Sequence, residues 1–582
     1  MKNYIPISRL KNLYSHINSR RKLQFFLLLL LTIFTGFTEI LSIASIVPFI
    51  KLVTEQGFSV QSVFISKIIN LENKQEAIMI TGLLFSFLFF VNSFSRIGLI
   101  YITSRLSQII AAELSVKLYE AKLYDTYSNH ISKNSNALIA AVTQKVFQIA
   151  ITISGVITFI SGTVICFCII VVLIWVNPKI MILSISFFGA LYFLIIKLGK
   201  ETIRRSGQIV NDTQNIIVKN LQNGLGAIRD IILDKTQSYY LNNFQKDSFL
   251  KARKQALIEF IQNSPRYIFE SMGIALFVIL LIFWSEPSNS SEEISSIFPT
   301  LAALAIGSQR ILPLLNQLYV NFLNVKSTIY QIDEVVTSLN EFSDKQEKNN
   351  NIKNLDINFN KSILFQNVSF SYDNKKIIFD DINLEIKKGS KIGFIGKTGE
   401  GKSTFLDLLM GLLEPNKGSI YIDNKKLEIQ TYKSWQSKIS HVPQNIFLSN
   451  STFFENIAFG IDFDKIDMQK VELASKKSQI HEFITKDVQG YSRNVGERGI
   501  RLSGGQIQRI GLARALYKDA KLIIFDEATN SLDSETEKLI MNELYSLGGD
   551  LTMIIVAHRI NTLEKCDKIY EIKDNKIFEV KK

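Results

Sequence analysis

Six long apolar runs constrain this chain of 582 residues more than any other feature. A helix of about 20 apolar residues crosses the ~30 Å hydrocarbon layer of a membrane, and each run is close to this length or longer. Six crossings place both ends of the chain on the same side. The basic residues Arg20, Arg21 and Lys22 precede the first run and predict that this side is the cytoplasm. The runs lie at about 23–50, 77–101, 148–176, 180–198, 265–284 and 296–322.

The composition is typical of a membrane protein with an attached soluble part. The chain is 47% hydrophobic and contains 41 Phe but only 9 Pro. Many of the Lys and Arg residues behind the net charge of +13 flank the apolar runs. This placement favours positive-inside membrane topology over nucleic-acid binding.

The connections between the runs alternate in length. The outer connections near 176–180 and 285–295 are short, whereas the inner ones, about 102–147 and 199–264, are long and polar. Apolar residues recur at helical spacing in these inner connections, so we predict membrane helices that extend far into the cytoplasm. Separately folded inserts are the alternative.

The pattern changes after Tyr330. The polar stretch SDKQEKNNNIKN at 343–354 is a linker. Short β-rich runs then alternate with helical segments, which is typical of an α/β domain. We therefore predict an α-helical membrane domain with six transmembrane helices over 1–335, a linker over 336–355 and an α/β nucleotide-binding domain over 356–582.

A phosphate-binding loop is predicted at GKTGEGKS, residues 396–403, which fits the pattern G-x-x-x-x-G-K-[ST]. An apolar strand precedes the loop and a helical segment follows it, as this motif requires. Backbone N–H groups of such a loop surround the phosphates of ATP, Lys402 reaches the β- and γ-phosphates, and the Ser403 hydroxyl binds Mg²⁺. The predicted nucleotide contacts in the loop are Gly396, Lys397, Thr398, Gly399, Glu400, Gly401, Lys402, Ser403 and Thr404.

Two carboxylates end a second buried strand, KLIIFDE at 521–527. Asp526 suits the metal ion, and Glu527 is the candidate catalytic base that polarises the attacking water. Paired acids at a strand end are often structural, but the phosphate loop favours the functional interpretation.

The string GERGIRLSGGQIQRIGLARAL, 496–516, resembles the ABC transporter family, for which LSGGQ is close to diagnostic. The resemblance covers the C-terminal ~225 residues, and the six-run half is similar to family exporters. It implies an ABC-type nucleotide-binding domain with ATP and Mg²⁺ as cofactors. It also implies roles for Tyr372 in adenine stacking, Gln444 in the Q-loop as nucleotide and metal contact, Asp533 in the D-loop and His558 as the catalytic switch histidine.

The resemblance further implies a second subunit. In the family, the signature contacts the ATP held by the other subunit's phosphate loop, and a helix N-terminus suits a phosphate. One chain carries one phosphate loop and one signature, so we predict a homodimer. The signature residues are Leu502, Ser503, Gly504, Gly505 and Gln506.

Two departures from the family pattern stand out. Glu400 replaces a small residue and brings a carboxylate close to bound phosphates, and NSLD at 530–533 replaces SALD. Neither removes a catalytic group, so hydrolysis is expected to survive with altered nucleotide affinity.

Three arginines lie in the membrane runs: Arg96, Arg266 and Arg310. At 1.5 Å per residue, Arg310 falls ~20 Å from the outer end of its run, and the other two fall ~27 Å from theirs. A charge at such depth is costly. A structural ion pair of Arg310 with Glu39 or Glu270 and snorkelling of Arg96 and Arg266 are the simpler interpretations. The functional one is a cationic patch that binds phosphate groups.

The strings SQRILPLLNQLY and TEILSIASIVPFI are similar to those of bacterial exporters that flip lipid-linked oligosaccharides. This resemblance implies a polyprenyl-diphosphate-linked substrate and location in the bacterial inner membrane, with the ATP-binding domain in the cytoplasm. Lipid A or phospholipid export and multidrug efflux are alternatives with the same architecture. An ATP-gated channel or regulator is the alternative from a different class, and the intact ATP-site motifs argue against it.

Overall fold

The computed structural model describes residues 7–54, 74–132, 146–176, 178–284, 307, 309–311, 313–325, 335–343, 355–372, 376–528, 534–546, 550–557 and 560–580. Within these ranges some side chains are not described, that of Arg266 among them. The chain divides into two units, Met1–Tyr124 with Ser135–Ser343, and Asp125–Asn134 with Asp344–Lys582.

The first unit is helical in its described part. Residues 309–311 and 313–325 are also helical and carry Arg310 and Pro313. Its named helices are α1 (Ile7–Ser15), α2 (Ser19–Ala44), α3 (Ile46–Thr54), α4 (Lys74–Leu123), α6 (Val146–Val176), α7 (Pro178–Gly226), α8 (Ile228–Leu233) and α9 (Gln237–Trp284).

Three helical segments in the described residues are long and apolar enough to cross a membrane. They are Ser19–Ile50, Gln75–Leu123 and Gln148–Trp175, and they coincide with the first three predicted runs. The fourth and fifth runs lie on α7 and α9, and the sixth falls partly on the helical residues 309–311 and 313–325. Length and hydropathy thus support three of the six predicted crossings in the described part of the chain.

Helices continue from three of the apolar runs into the polar connections, as predicted. Helices α4, α7 and α9 contain 50, 49 and 48 residues, and each joins an apolar run to a polar segment without a break. A helix rises 1.5 Å per residue, so each is about 70–75 Å long, more than twice the thickness of the hydrocarbon layer.

The second unit is α/β, as predicted. Its described residues contain a six-stranded sheet in the order β10-β9-β3-β8-β7-β6 and a four-stranded sheet in the order β2-β1-β4-β5. In the larger sheet, β3, β6, β7, β8 and β9 are parallel and β10 is antiparallel to β9. The strands are β1 (Ser362–Ser371), β2 (Ile377–Lys387), β3 (Lys391–Ile395), β4 (Lys417–Ile422), β5 (Lys425–Lys426), β6 (Ile439–Val442), β7 (Leu522–Asp526), β8 (Thr552–Val556), β9 (Lys568–Lys573) and β10 (Lys576–Val580).

The helices that follow the phosphate loop and the signature pack in different hydrophobic clusters of this unit. The helix after β3 contributes Phe405 and Leu409 to one hydrophobic core. The helix after the signature contributes Ile510 and Ala513 to a second cluster, and its Leu512 and Ala515 pack in a third cluster with residues of β6–β9. The helices are α5 (Tyr127–Ser132), α10 (Lys402–Leu409), α11 (Tyr432–Ser437), α12 (Phe453–Ile457), α13 (Met468–Lys477), α14 (His481–Thr485), α15 (Gly504–Tyr517) and α16 (Ser534–Ser546).

Candidate functional site: an ATP site and a membrane arginine cluster

The predicted phosphate loop connects β3 to α10, so the strand–loop–helix context of the motif is present. Gly401 has φ = 102°, and a Cβ there would lie 2.8 Å from the Ile378 side chain. Only glycine combines this backbone with so close an approach. The loop thus begins a helix with its first N–H groups free of intrahelical partners, which is an anion-binding arrangement.

Lys402, the first residue of α10, is folded over the loop. Its Nζ donates to the carbonyl oxygens of Gly396 at 2.7 Å and Lys397 at 3.3 Å. The same Nζ lies 3.8 Å from Glu527 Oε1, and the side chain is only 7% exposed. The Lys402 ammonium group thus lies between the phosphate loop and the Glu527 carboxylate, the candidate catalytic base.

Glu527 follows β7 and is held by several groups at once. Its Oε2 accepts a hydrogen bond from Gln444 Nε2 at 2.8 Å, and its own N–H donates to Val556 O at 3.0 Å. The residue is 8% exposed and has φ = 52°, a left-handed conformation that is uncommon outside glycine. Such strain is concentrated at functional sites, where surrounding contacts hold it in place. Gln444 and Glu527, which the sequence placed in one site, are therefore in contact.

The end of β7 carries excess negative charge. Burial and the adjacent Glu527 raise the pKa of Asp526, and burial and Asp526 raise the pKa of Asp407 to about 6. A divalent cation would relieve this repulsion. The Asp526 carboxylate, the exposed Ser403 hydroxyl and the Gln444 amide oxygen are the hard ligands that Mg²⁺ prefers, so these residues fit the metal.

Tyr372, the predicted adenine-stacking residue, has an exposed ring beside the loop helix. Its hydroxyl is 3.1 Å from Thr404 Oγ1, and Phe370 supports the ring edge-on at a centroid distance of 5.1 Å. Tyr127 of α5 lies in the same neighbourhood. Burial, followed by the charges of Asp407 and Tyr372, raises the pKa of Tyr127.

The signature begins α15 with a complete capping box. Ser503 Oγ accepts from Gln506 N at 3.3 Å, and Gln506 Oε1 accepts from Ser503 N at 2.8 Å. The two glycines that follow Ser503 have no side chains, so the first N–H groups of a 14-residue helix are accessible to an anion. This geometry is suitable for phosphate binding at the helix end.

Two predicted residues, Asp533 and His558, lie outside the described residues. Of the other predicted ATP-site residues, Lys397, Thr398, Gly399 and Ser403 are exposed on the loop and Thr404 is buried beneath it. Asp407 was missed. It lies four residues after Ser403 on one helix, a spacing that puts both on the same face and was readable from the sequence.

In the membrane unit, Glu39 is the centre of a polar cluster. Its side chain is fully buried and forms ion pairs with Arg96, at 3.0 Å, and with Arg310. Asn92 Nδ2 donates to Glu39 Oε2 at 2.7 Å, and the Arg310 guanidinium stacks on Phe89 at 4.4 Å from the ring centroid. One carboxylate faces two guanidinium groups, so these three side chains retain a net charge of +1.

The contacts of Glu39 distinguish between some of the interpretations that the sequence left open for the three arginines. Arg310 pairs with Glu39, which was one of its two expected partners, and Arg96 pairs with the same carboxylate rather than only snorkelling. The side chains of Arg310 and Arg96 remain 16% and 32% exposed. The third arginine, Arg266, lies on α9 and its side chain is not described.

Comparisons with known proteins agree with this arrangement. Residues 379–530 match the ABC transporter family. The chain is 27% identical to the ATP-dependent lipid A-core flippase of Saccharophagus degradans over 475 residues, 81% of this chain and 78% of that protein. It is 26% identical to the ATP-dependent lipid A-core flippase of Francisella novicida over 489 residues, 82% of this chain and 80% of that protein.

A shorter match and a solved structure complete the comparison. The chain is 39% identical to the heavy metal tolerance protein of Schizosaccharomyces pombe over 217 residues, 37% of this chain and 26% of that protein. The solved structure of a bacterial Atm1-family ABC exporter with ATP bound superposes with a TM-score of 0.73, at 20% identity, over 96% of this chain and 94% of that chain. At this identity the superposition establishes the fold alone.

The fold and the site define a membrane-embedded ATPase whose phosphate loop, acidic strand end and signature helix lie in one cytoplasmic α/β domain. The chain contains an ABC transporter domain at 379–530, and its relatives and its fold support an exporter-type half-transporter. Its activity is ATP hydrolysis coupled to transport across the membrane.

Proposed function

We propose that two copies of this chain form a flippase that moves a polyprenyl-diphosphate-linked oligosaccharide, or a similar anionic lipid, from the cytoplasmic to the outer leaflet of the bacterial inner membrane. The observation that carries the proposal is the partial neutralisation of Arg96 and Arg310 by the single buried Glu39. The cost of burying such charges is high, and a purely structural ion pair needs only one arginine for one carboxylate.

The chemistry of the cluster fits a diphosphate. Guanidinium groups bind phosphate oxygens through paired N–H donors. Glu39, Asn92 and Ser42 fix the orientation of the two arginines, since Arg310 Nη1 also lies 3.3 Å from Ser42 Oγ. A headgroup that carries two phosphates would bind the exposed parts of Arg96 and Arg310, with Arg266 as the third proposed contact, while the lipid tail stays in the bilayer.

The two parts of the ATP site support the proposed homodimer. The phosphate loop and the signature helix belong to different packing clusters of one domain, and each presents a separate phosphate-binding helix end. We propose that each of two ATP molecules lies between the phosphate loop of one copy and the signature of the other. Glu527 and His558 would then act on the attacking water, and Ser403, Gln444 and Asp526 would hold Mg²⁺, whose charge stabilises the phosphates during transfer.

The relatives favour a lipid over a drug. Two of them, matched over about four-fifths of this chain, are named as lipid A-core flippases. Lipid A carries phosphate groups, so lipid A is the main competing substrate. A multidrug exporter would need no paired arginines on a buried carboxylate.

The test is the ATPase rate of the purified protein in nanodiscs, titrated in parallel with a polyprenyl-diphosphate glycan, with lipid A and with a cationic drug. The glycan is expected to raise the wild-type rate several-fold. Arg310→Ala and Arg96→Ala should bring the ratio of stimulated to basal rate towards one. Arg204→Ala, which removes an exposed arginine on α7, is the matched control and should keep the ratio.

Two further variants keep the result interpretable. Glu527→Gln defines the background without hydrolysis. Arg310→Lys keeps the charge but loses the paired donors, so it separates diphosphate binding from folding if Arg310→Ala does not fold. Stimulation by lipid A or by the drug but not by the glycan would reject the oligosaccharide substrate.

A further inference from the structure

Glu400 turns its side chain back onto the phosphate loop. Its Oε2 accepts a hydrogen bond from Lys397 N–H at 2.8 Å, and its own N–H donates to Lys397 O at 3.3 Å. The same carboxylate oxygen lies 3.1 Å from the position that a Cβ on Gly396 would occupy. The carboxylate is therefore turned towards the loop, and the residue is partly exposed.

The loop it occupies is built to bind anions. Backbone N–H groups at the start of α10 and the ammonium group of Lys402 supply its positive potential. A carboxylate that accepts from Lys397 N–H uses part of this capacity, because one N–H cannot donate fully to two acceptors. Wherever the side chain rotates, Glu400 remains between Gly399 and Gly401 and places a negative charge within several ångströms of the loop's ligand.

We infer that Glu400 is a selectivity residue of the ATP site, which lowers nucleotide affinity and does so more for metal-free ATP than for Mg²⁺-bound ATP. The physical cause is repulsion between like charges, which grows with the charge of the ligand. Mg²⁺ bound to the phosphates of ATP would cancel two of their negative charges. Mg²⁺-bound ATP therefore meets less repulsion from the carboxylate than free ATP does.

The hydrogen bond to Lys397 also allows the opposite effect, in which Glu400 raises nucleotide affinity. If the carboxylate mainly held the loop in its binding conformation, its removal would weaken nucleotide binding. The two roles differ in sign, so a binding measurement separates them.

The experiment measures dissociation constants of the full-length protein for a non-hydrolysable ATP analogue, once with Mg²⁺ and once with EDTA, by displacement of a fluorescent nucleotide. Glu400→Gln removes the charge and keeps the shape and hydrogen-bonding capacity, whereas Glu400→Ala removes the side chain. Glu385→Gln, which makes the same charge change on an exposed position of β2, is the matched control. Because binding is read directly, the result does not depend on turnover.

We expect Glu400→Gln and Glu400→Ala to bind the metal-free analogue about three- to tenfold more tightly than wild type, with a smaller gain for the Mg²⁺ complex. Glu385→Gln should match wild type in both conditions. Equal or weaker binding by Glu400→Gln would overturn the inference, as would an equal gain with and without Mg²⁺. A gain by Glu400→Ala alone would assign the effect to side-chain size and would also overturn it.

Discussion

Glu39 on α2 forms an ion pair with Arg310, which lies 271 residues later in the sequence. The same carboxylate binds Arg96 of α4 and accepts from Asn92 on the preceding turn of that helix. Three segments of the membrane unit are thus held by one buried negative charge. The arginine at position 310 is tolerated within an apolar run because this charge and the Phe89 ring compensate it.

Removal of Glu39 is expected to destabilise the membrane unit strongly. Glu39→Gln leaves two guanidinium groups without their counter-ion, and breaking a buried pair in this way costs about 3–5 kcal/mol. The thermal unfolding temperature in nanodiscs should fall by several degrees. The double variant Glu39→Gln with Arg310→Gln should unfold above Glu39→Gln alone, because it buries one unpaired charge fewer.

The matched control is Glu201→Gln, which removes an exposed carboxylate paired with Arg204 and Arg205 on α7. Exposed pairs of this kind contribute little, so its unfolding temperature should stay at the wild-type value. An unchanged unfolding temperature for Glu39→Gln would show that the cluster does not stabilise the fold.

The sequence predicted this cluster only in part, for a physical reason. A charge in an apolar run is energetically costly unless an opposite charge lies close to it. An ion pair of Arg310 with an acid such as Glu39 was therefore predictable from the cost of burying the charge. Whether Arg96 forms an ion pair or snorkels to the interface depends on the rotation of α4 about its axis. Helix packing sets this rotation, and a single sequence does not reveal it. The loop motif, by contrast, correctly predicted that Lys402 and Ser403 begin a helix after a strand, because its spacing encodes a local backbone shape.

The catalytic assignment predicts a graded loss of activity. Glu527→Gln removes the candidate base and should lower ATP turnover by about 10²–10⁴-fold while nucleotide still binds. Gln444→Ala removes the amide that donates to Glu527 at 2.8 Å and should lower turnover about 10–100-fold.

Single-turnover hydrolysis, with bound nucleotide measured in the same samples, checks both values. Gln489→Ala, at an exposed glutamine of the same domain, is the control and should match wild type. Normal turnover by Glu527→Gln would remove this residue from the mechanism.

The proposed two-chain ATP site can be tested by mixing inactive chains. One chain carries Lys402→Ala and the other Ser503→Arg, and mixed dimers are purified through two different tags. If the signature of one copy serves the phosphate loop of the other, each mixed dimer contains one intact site, so activity returns. The parent homodimers contain none.

The converse pair carries both substitutions on one chain and none on the other. Two sites shared between copies predict an inactive mixed dimer here, whereas sites completed within one chain predict activity. If the sites are shared between copies, the first mixed dimer hydrolyses ATP faster than the converse pair. If each chain completes its own site, the converse pair is the faster one. Activity in the converse pair alone would reject the shared site.

His441 on β6 predicts a pH dependence of stability. Its Nε2 is buried and has no hydrogen-bond partner in the described structure, and burial lowers the pKa of the side chain to about 4. The unfolded value is about 6.5. Between these values the unfolded chain binds a proton that the folded domain does not, so stability is complete above pH 6.5 and falls as the pH is lowered towards 4.

Relative to a variant that does not titrate at this position, His441→Gln, the wild type should lose about 2 kcal/mol of stability between pH 7 and pH 5. The measurement is denaturant unfolding of the full-length protein at both pH values, followed by fluorescence, with the fully buried Trp435 as a reporter in the same domain. Only the difference between the two proteins at each pH is used, so other titrating groups cancel. The difference in free energy of unfolding between wild type and His441→Gln would be the same at pH 7 and pH 5 if His441 had a proton-accepting partner in solution. In that case burial of His441 does not determine how stability falls at acidic pH.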